Sequence, residues 1–314
     1  MTLARTLALS VMFAVLFVGL FAGCSGDDTA DSYTDDMAEE HAADTPEATD
    51  AAREPLIPVD TSTVSYFTTD AGEEITGYMA VPQNPDSILA ARGMDAERER
   101  LPGVILIHEW WGLNENIRTA ARRVAGEGYR VLAVDLYGGS VAETPDTARG
   151  LMQEAMGAPD RLADNIASAN AYLQQEARAP RTAVMGWCFG GAMTLTAAIT
   201  QPEGYAGAVV YYGRVSDVAA EELAPISFPM IGFFGADDGS IPVSSVREFE
   251  NTMQEVGNEI DVYIYEDAGH AFANPSGRNY QPEAAADAWD RTTAFLEQQL
   301  YGTEAGDATG DDDS

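Results

Sequence analysis

Six short apolar runs constrain the fold of this chain more than any other feature: GVILIH at 103–108, RVLAVDLY at 130–137, TAVMGW at 182–187, YAGAVVYYG at 205–213, FPMIGFFG at 228–235 and IDVYIYE at 260–266. Each is close to continuously apolar rather than alternating, as expected of a strand covered on both faces. Helical patterns lie between or after them, near 116–127, 145–155, 158–177, 189–200, 243–257 and 281–299. That alternation predicts a single three-layer α/β domain on a mostly parallel sheet. Upstream, STVSYFTTDAGEEITGYMAVP alternates polar and apolar residues around Asp70-Ala71-Gly72, which predicts an N-terminal β-hairpin, followed by a polar loop to about Pro102.

The two ends differ from this domain. Residues 1–24 hold Arg5, an uncharged apolar run from Thr6 to Gly23, and then Cys24. This is the layout of an export signal. Its ending, LFAGCSG, looks like a bacterial lipoprotein signal, in which Cys24 becomes the acylated first residue. The expectation is an exported protein, lipid-anchored to a bacterial cell membrane on its periplasmic or extracellular face. Residues 25–60 carry 12 acids against one arginine and few large apolar residues, so they are expected to form a disordered tether. The stretch 302–314, ending GDDDS, is expected to be an acidic disordered tail, leaving 61–301 as the folded domain.

Net charge is −34, and all 17 basic residues are arginine. A carboxylate-rich surface without lysine fits a high-salt habitat, where screening tolerates self-repulsion, and equally fits drift in a GC-rich genome. Either way a nucleic-acid partner is excluded, because phosphate binding needs a basic face. If Cys24 is acylated, Cys188 is left as a lone thiol outside the cytoplasm.

Gly186-Trp187-Cys188-Phe189-Gly190 has the G-x-nucleophile-x-G spacing of a sharp strand-to-helix turn, with sulfur in place of the usual hydroxyl. Asp238, in FFGADDGSIP, and His270, in YEDAGHAFANP, each follow a later apolar run. In a parallel sheet, reactive groups gather at the carboxyl ends of strands. The order nucleophile, acid, histidine suits a thiol whose proton is taken by an imidazole that a carboxylate holds in place. Asp237 is an alternative to Asp238, which the spacing to Pro242 favours. Of the other two histidines, His41 falls in the tether and His108 at a strand end. The stretch His108-Glu109-Trp110-Trp111-Gly112 lacks the second histidine of an H-E-x-x-H zinc site, so no metal is expected.

Together with GWCFGG and EDAGHAF, the stretch ILIHEWWGLNENIRTAARRVAGEGYRVLAVDLYGG at 105–139 resembles the dienelactone hydrolase family of α/β hydrolases, over roughly residues 62–299. The resemblance implies an α/β-hydrolase fold and cleavage of ester or lactone bonds through a thioester acyl-enzyme, with no metal or organic cofactor. It implies Cys188 as nucleophile, His270 as general base, Asp238 as its orienting acid, and Glu109 as a group that helps form the thiolate. The backbone N–H groups of Trp110 and Phe189 would form the oxyanion hole. Where such enzymes carry an arginine four residues beyond the histidine, this chain has Asn274, so dienelactone itself is not the expected substrate; Arg149 is the candidate replacement. Trp110, Trp111, Tyr137 and Phe272 are expected to line or flank the pocket. Rival readings are a general carboxylesterase or thioesterase, and a surface-anchored binding protein that has lost catalysis. The expected partner is a small-molecule ester or lactone, acted on by a protein for which a monomer is favoured.

Overall fold

The computed structural model describes residues 33–35, 37–42 and 54–302. The expected export signal, Cys24 and the acidic tail beyond Gly302 lie outside the described residues. Among the described residues eight strands form one sheet: β1 (Val59–Thr68), β2 (Glu74–Pro82), β3 (Gly103–Ile107), β4 (Arg130–Ala133), β5 (Thr182–Trp187), β6 (Gly207–Tyr211), β7 (Met230–Gly235) and β8 (Ile260–Tyr265). Their order is β1-β2-β4-β3-β5-β6-β7-β8. The β1-β2 hairpin is antiparallel and β2 joins β4 antiparallel, while every later pairing is parallel. This is the α/β fold that the apolar runs predict. Every residue of β3, β5, β6 and β7 is buried, which is why those runs carry no polar alternation.

Helices cover both faces. On one side α3 (Glu115–Gly126) and α9 (Pro282–Tyr301) meet where the Arg123 guanidinium lies 3.4 Å from the Trp289 ring centroid. On the other, α5 (Pro159–Gln175) packs on α6 (Phe189–Thr200). The remaining helices are α1 (residues 33–35 and 37–40), α2 (Pro85–Ala91), α4 (Pro145–Met156), α7 (Ala220–Leu223) and α8 (Val243–Glu255). The chain leaves β3 for β4 on one side and returns for β5 on the other. The carboxyl ends of β3 and β5 therefore flank a topological switch point, where open α/β sheets bind ligands.

Three boundaries differ from the sequence expectation. The first strand begins at Val59, inside the stretch expected as tether. The loop before Pro102 contains α2, started by Pro85 at its first turn and held by buried Leu89. A disordered tether over 25–60 does not hold for residues 33–35 and 37–42, because Tyr33, Thr34, Met37 and His41 are buried. Tyr33, Met37 and His41 recur every four residues, so one face of α1 and of the turn after it is apolar or aromatic although the segment's composition is acidic.

Candidate active site

The turn after β5 supplies the first group. Cys188 sits at φ 55° and ψ −119° between β5 and α6, a left-handed conformation that costs a non-glycine residue free energy and persists here because strand and helix fix both its ends. Glycine is required on either side of it. A Cβ on Gly186 would overlap the Gly190 carbonyl, and one on Gly190 would overlap the carbonyls of Ile107 and His108. Phe189 is the first residue of α6, where backbone N–H groups have no intrahelical acceptor and point towards the thiol's side of the turn.

Asp238 follows β7 and His270 follows β8, and His270 Nδ1 lies 2.8 Å from Asp238 Oδ2. The other carboxylate oxygen, Oδ1, accepts from the backbone N–H groups of Ser240 and Ile241, both at 2.9 Å. It is thus Asp238, not Asp237, that meets the imidazole. Holding Nδ1 against a carboxylate leaves Nε2 as the nitrogen available to the sulfur. Burial pushes the Cys188 thiol up, but the positive charge of His270, whose ligating atom lies within 4.8 Å of the sulfur, aided by His41, outweighs it and brings the thiol down to about 6. Burial alone would lower His270; the Asp238 and Cys188 charges reverse this and raise it well above the usual imidazole value. The pair therefore favours a thiolate beside an imidazolium.

Glu109 and Trp110 follow β3, across the switch point. Glu109 is buried, and Asn274 Nδ2 donates to its Oε2 at 2.8 Å. Asn274 thus holds a carboxylate of the chain itself. Arg149 is not placed as a substrate ligand: its guanidinium is 2.5 Å from Asp35 of the N-terminal segment. Trp110 stacks near His41, with centroids 5.0 Å apart, and Trp111 packs against Trp110 at 4.9 Å. Tyr137 lies beside Phe189 and His108, and Phe272 lies between Tyr212 and Tyr265. His108 is structural: Nδ1 is 2.6 Å from the Glu109 carbonyl and Nε2 accepts from Leu136 N–H at 3.2 Å.

Two groups from the stretch expected as tether also meet the sulfur. Met37 Sδ is 3.6 Å from Cys188 Sγ, and His41 Nε2 is 4.0 Å from it. The segment is tied down at its edges, where Gln153 donates to Thr34 Oγ1 at 3.1 Å and Asn279 donates to Glu40 Oε1 at 2.8 Å. Cys188 and His270 are both fully buried beneath it. A cavity of about 90 Å³ beside Glu109, bounded by Asn116, Tyr212, Asn274 and Trp289 among others, reaches neither Cys188 nor His270. The space above the thiol is filled by protein. The missed signal was the four-residue spacing of Tyr33, Met37 and His41.

Comparison with known proteins agrees with this architecture. The sequence profile described as "Dienelactone hydrolase family" matches residues 89–300. Two relatives bear the name "Putative carboxymethylenebutenolidase". The one from Methylorubrum extorquens is 30% identical over 243 residues, spanning 73% of this chain and 83% of its own. The one from Escherichia coli K12 is 29% identical over 244 residues, spanning 71% and 87%. Among solved structures, a "Putative Dienelactone Hydrolase" from Klebsiella pneumoniae superposes with a TM-score of 0.64 at 25% identity, covering 77% of this chain and 99% of that one.

Proposed function

The chain belongs to the dienelactone hydrolase family and is a carboxylic ester hydrolase, and from that premise we propose that it opens ester or lactone bonds by covalent catalysis from Cys188. The observation that carries the reading is the line Asp238–His270–Cys188, with Nδ1 held at 2.8 Å and the ring within 4.8 Å of a thiol that its charge brings down to about 6. In the first half-reaction the Cys188 thiolate adds to the substrate carbonyl. The backbone N–H groups of Phe189 and Trp110 receive the developing oxyanion. Collapse expels the alkoxide, which takes the proton from His270 Nε2 and leaves a thioester. In the second half, His270 takes a proton from water, the hydroxide adds to the thioester, and the thiolate leaves. Asp238 holds the imidazole's tautomer and stabilises its cationic form.

Asn274 and Arg149 are both engaged within the chain, by Glu109 and Asp35, which favours an uncharged ester or lactone over a substrate that presents a carboxylate to either. From the sequence we also propose export and lipid attachment at Cys24, which metabolic labelling with a radioactive fatty acid would test in wild type and Cys24→Ser. The test of the catalytic proposal is hydrolysis of a p-nitrophenyl ester and of an enol-lactone by wild type and by Cys188→Ala. Turnover that survives the alanine substitution would sink the role given to Cys188. The ratio of the two rates separates a lactonase from a general carboxylesterase.

A further inference from the structure

Donor atoms from three distant parts of the chain converge on one buried point. His41 follows α1, Cys188 stands between β5 and α6, and His270 follows β8; one ligating atom of each lies within 4.8 Å of the others. A fourth donor is present, since Met37 Sδ is 3.6 Å from Cys188 Sγ. All four side chains are buried. The acyl-transfer steps use Cys188 and His270 directly; His41 enters them only through its charge on the thiol, and Met37 not at all. A segment that merely covered the thiol would need only bulk, yet this one delivers a thioether and a second imidazole.

One thiolate, two imidazoles and a thioether are the donor set of a soft or borderline metal, and two histidines, a cysteine and a more distant methionine are the set that copper favours. The surroundings suit metal ligation too. Asp238 Oδ2 holds His270 Nδ1 at 2.8 Å and leaves Nε2 unpartnered among the other donors, the arrangement in which a carboxylate orients a ligating imidazole. The dimensions are close: metal–nitrogen bonds near 2.0 Å and metal–sulfur bonds near 2.3 Å place neighbouring donors roughly 3.3–3.7 Å apart. Cys188 Sγ and His41 Nε2 are already at 4.0 Å. Closing the set asks for side-chain shifts of about an ångström or less from each partner.

We propose that Cys188, His270, His41 and Met37 bind one soft metal ion, copper by preference, between the N-terminal segment and the thiol. The ion and a substrate compete for the same sulfur, so the loaded protein is silent in hydrolysis, and the ion ties α1 over the site. Binding is independent of turnover, so this inference goes beyond the hydrolytic reading.

The test is an anaerobic titration of the full chain, solubilised in detergent, with Cu(I) against a chromogenic copper chelator. The expected result is one tightly held copper per chain, with affinity falling at least tenfold in His41→Ala and further in Cys188→Ala. Met37→Leu keeps the bulk of the side chain, so weaker binding there at an unchanged melting temperature assigns the effect to the thioether. X-ray absorption at the copper edge should show mixed sulfur and nitrogen ligands. No one-to-one uptake, uptake unaffected by His41→Ala, or displacement of copper by an equal concentration of Zn(II) would each overturn the proposal. Absence of copper from a chain that hydrolyses esters through Cys188 sinks this inference alone. Copper held through Cys188 by a chain that turns over no ester sinks the catalytic reading alone.

Discussion

At the scale of single residues, the site is governed by which charges a buried group faces. The thiol is lowered to about 6 by His270 and His41, and His270 is raised by Asp238 and Cys188, so the ion pair is held from both ends. Thiolate should appear as pH rises through about 6 in wild type, readable as thiolate ultraviolet absorbance. Asp238→Asn removes the charge that favours imidazolium, so His270 should fall and the thiol's midpoint should move upward, towards the ordinary thiol value. The same substitution should cut kcat by about 10⁴-fold, as loss of the carboxylate does in serine proteases. An unmoved midpoint would mean that Asp238 does not set the pair's electrostatics. Asn274→Ala strips a hydrogen bond from the buried Glu109 carboxylate and should cost about 1–3 kcal/mol in chemical denaturation.

At the scale of elements, two units decide what the thiol can do. The β5–turn–α6 unit tolerates no side chain at Gly186 or Gly190, because backbone carbonyls occupy the space. Gly190→Ala should destabilise by at least about 1–3 kcal/mol, the usual cost of overpacking, and abolish hydrolysis. The other unit is α1. Its Asp35–Arg149 pair is half exposed on both sides and is worth roughly 0–1 kcal/mol. Burying a methionine side chain is worth about 1.5–3 kcal/mol, so Met37 holds the segment more firmly than the ion pair does. Alkylation of Cys188 by iodoacetamide should therefore accelerate much more in Met37→Ala than in Arg149→Ala. Equal rates in wild type and Met37→Ala would show that α1 does not limit access to the sulfur.

Across the whole molecule, the dominant fact is charge: −34, with arginine as the only basic side chain. The arginines are used for more than charge. Guanidinium groups stack on Tyr301 (Arg92), Tyr78 (Arg118), Trp289 (Arg123) and Tyr263 (Arg291), contacts that suit a planar cation better than an ammonium. Self-repulsion among carboxylates is screened over roughly 10 Å at 0.1 M salt and 3 Å at 1 M. The melting temperature should accordingly rise between dilute buffer and molar salt. A fall or no change would count against a high-salt habitat and leave the acidic composition to genome drift.

Much of this protein follows from local sequence. Continuous apolar runs reveal buried parallel strands because such a strand has no solvent face to mark with polar residues. The glycines around Cys188 reveal the elbow because only they allow its backbone contacts, and the order of Cys188, Asp238 and His270 follows from three separate strand ends. Tertiary structure decided the rest. Asp238 and Asp237 are adjacent in sequence, and only the turn after β7 aims one of them at His270. Placement of β4 between β2 and β3 puts Glu109 and Cys188 on either side of one crevice, and no local pattern encodes that order. The acidic stretch around α1 reads as tether because disorder is inferred from composition, averaged over the segment. Three side chains at four-residue spacing suffice to bury one face of it, and only the folded chain shows that the surface awaiting that face holds Cys188 and His270.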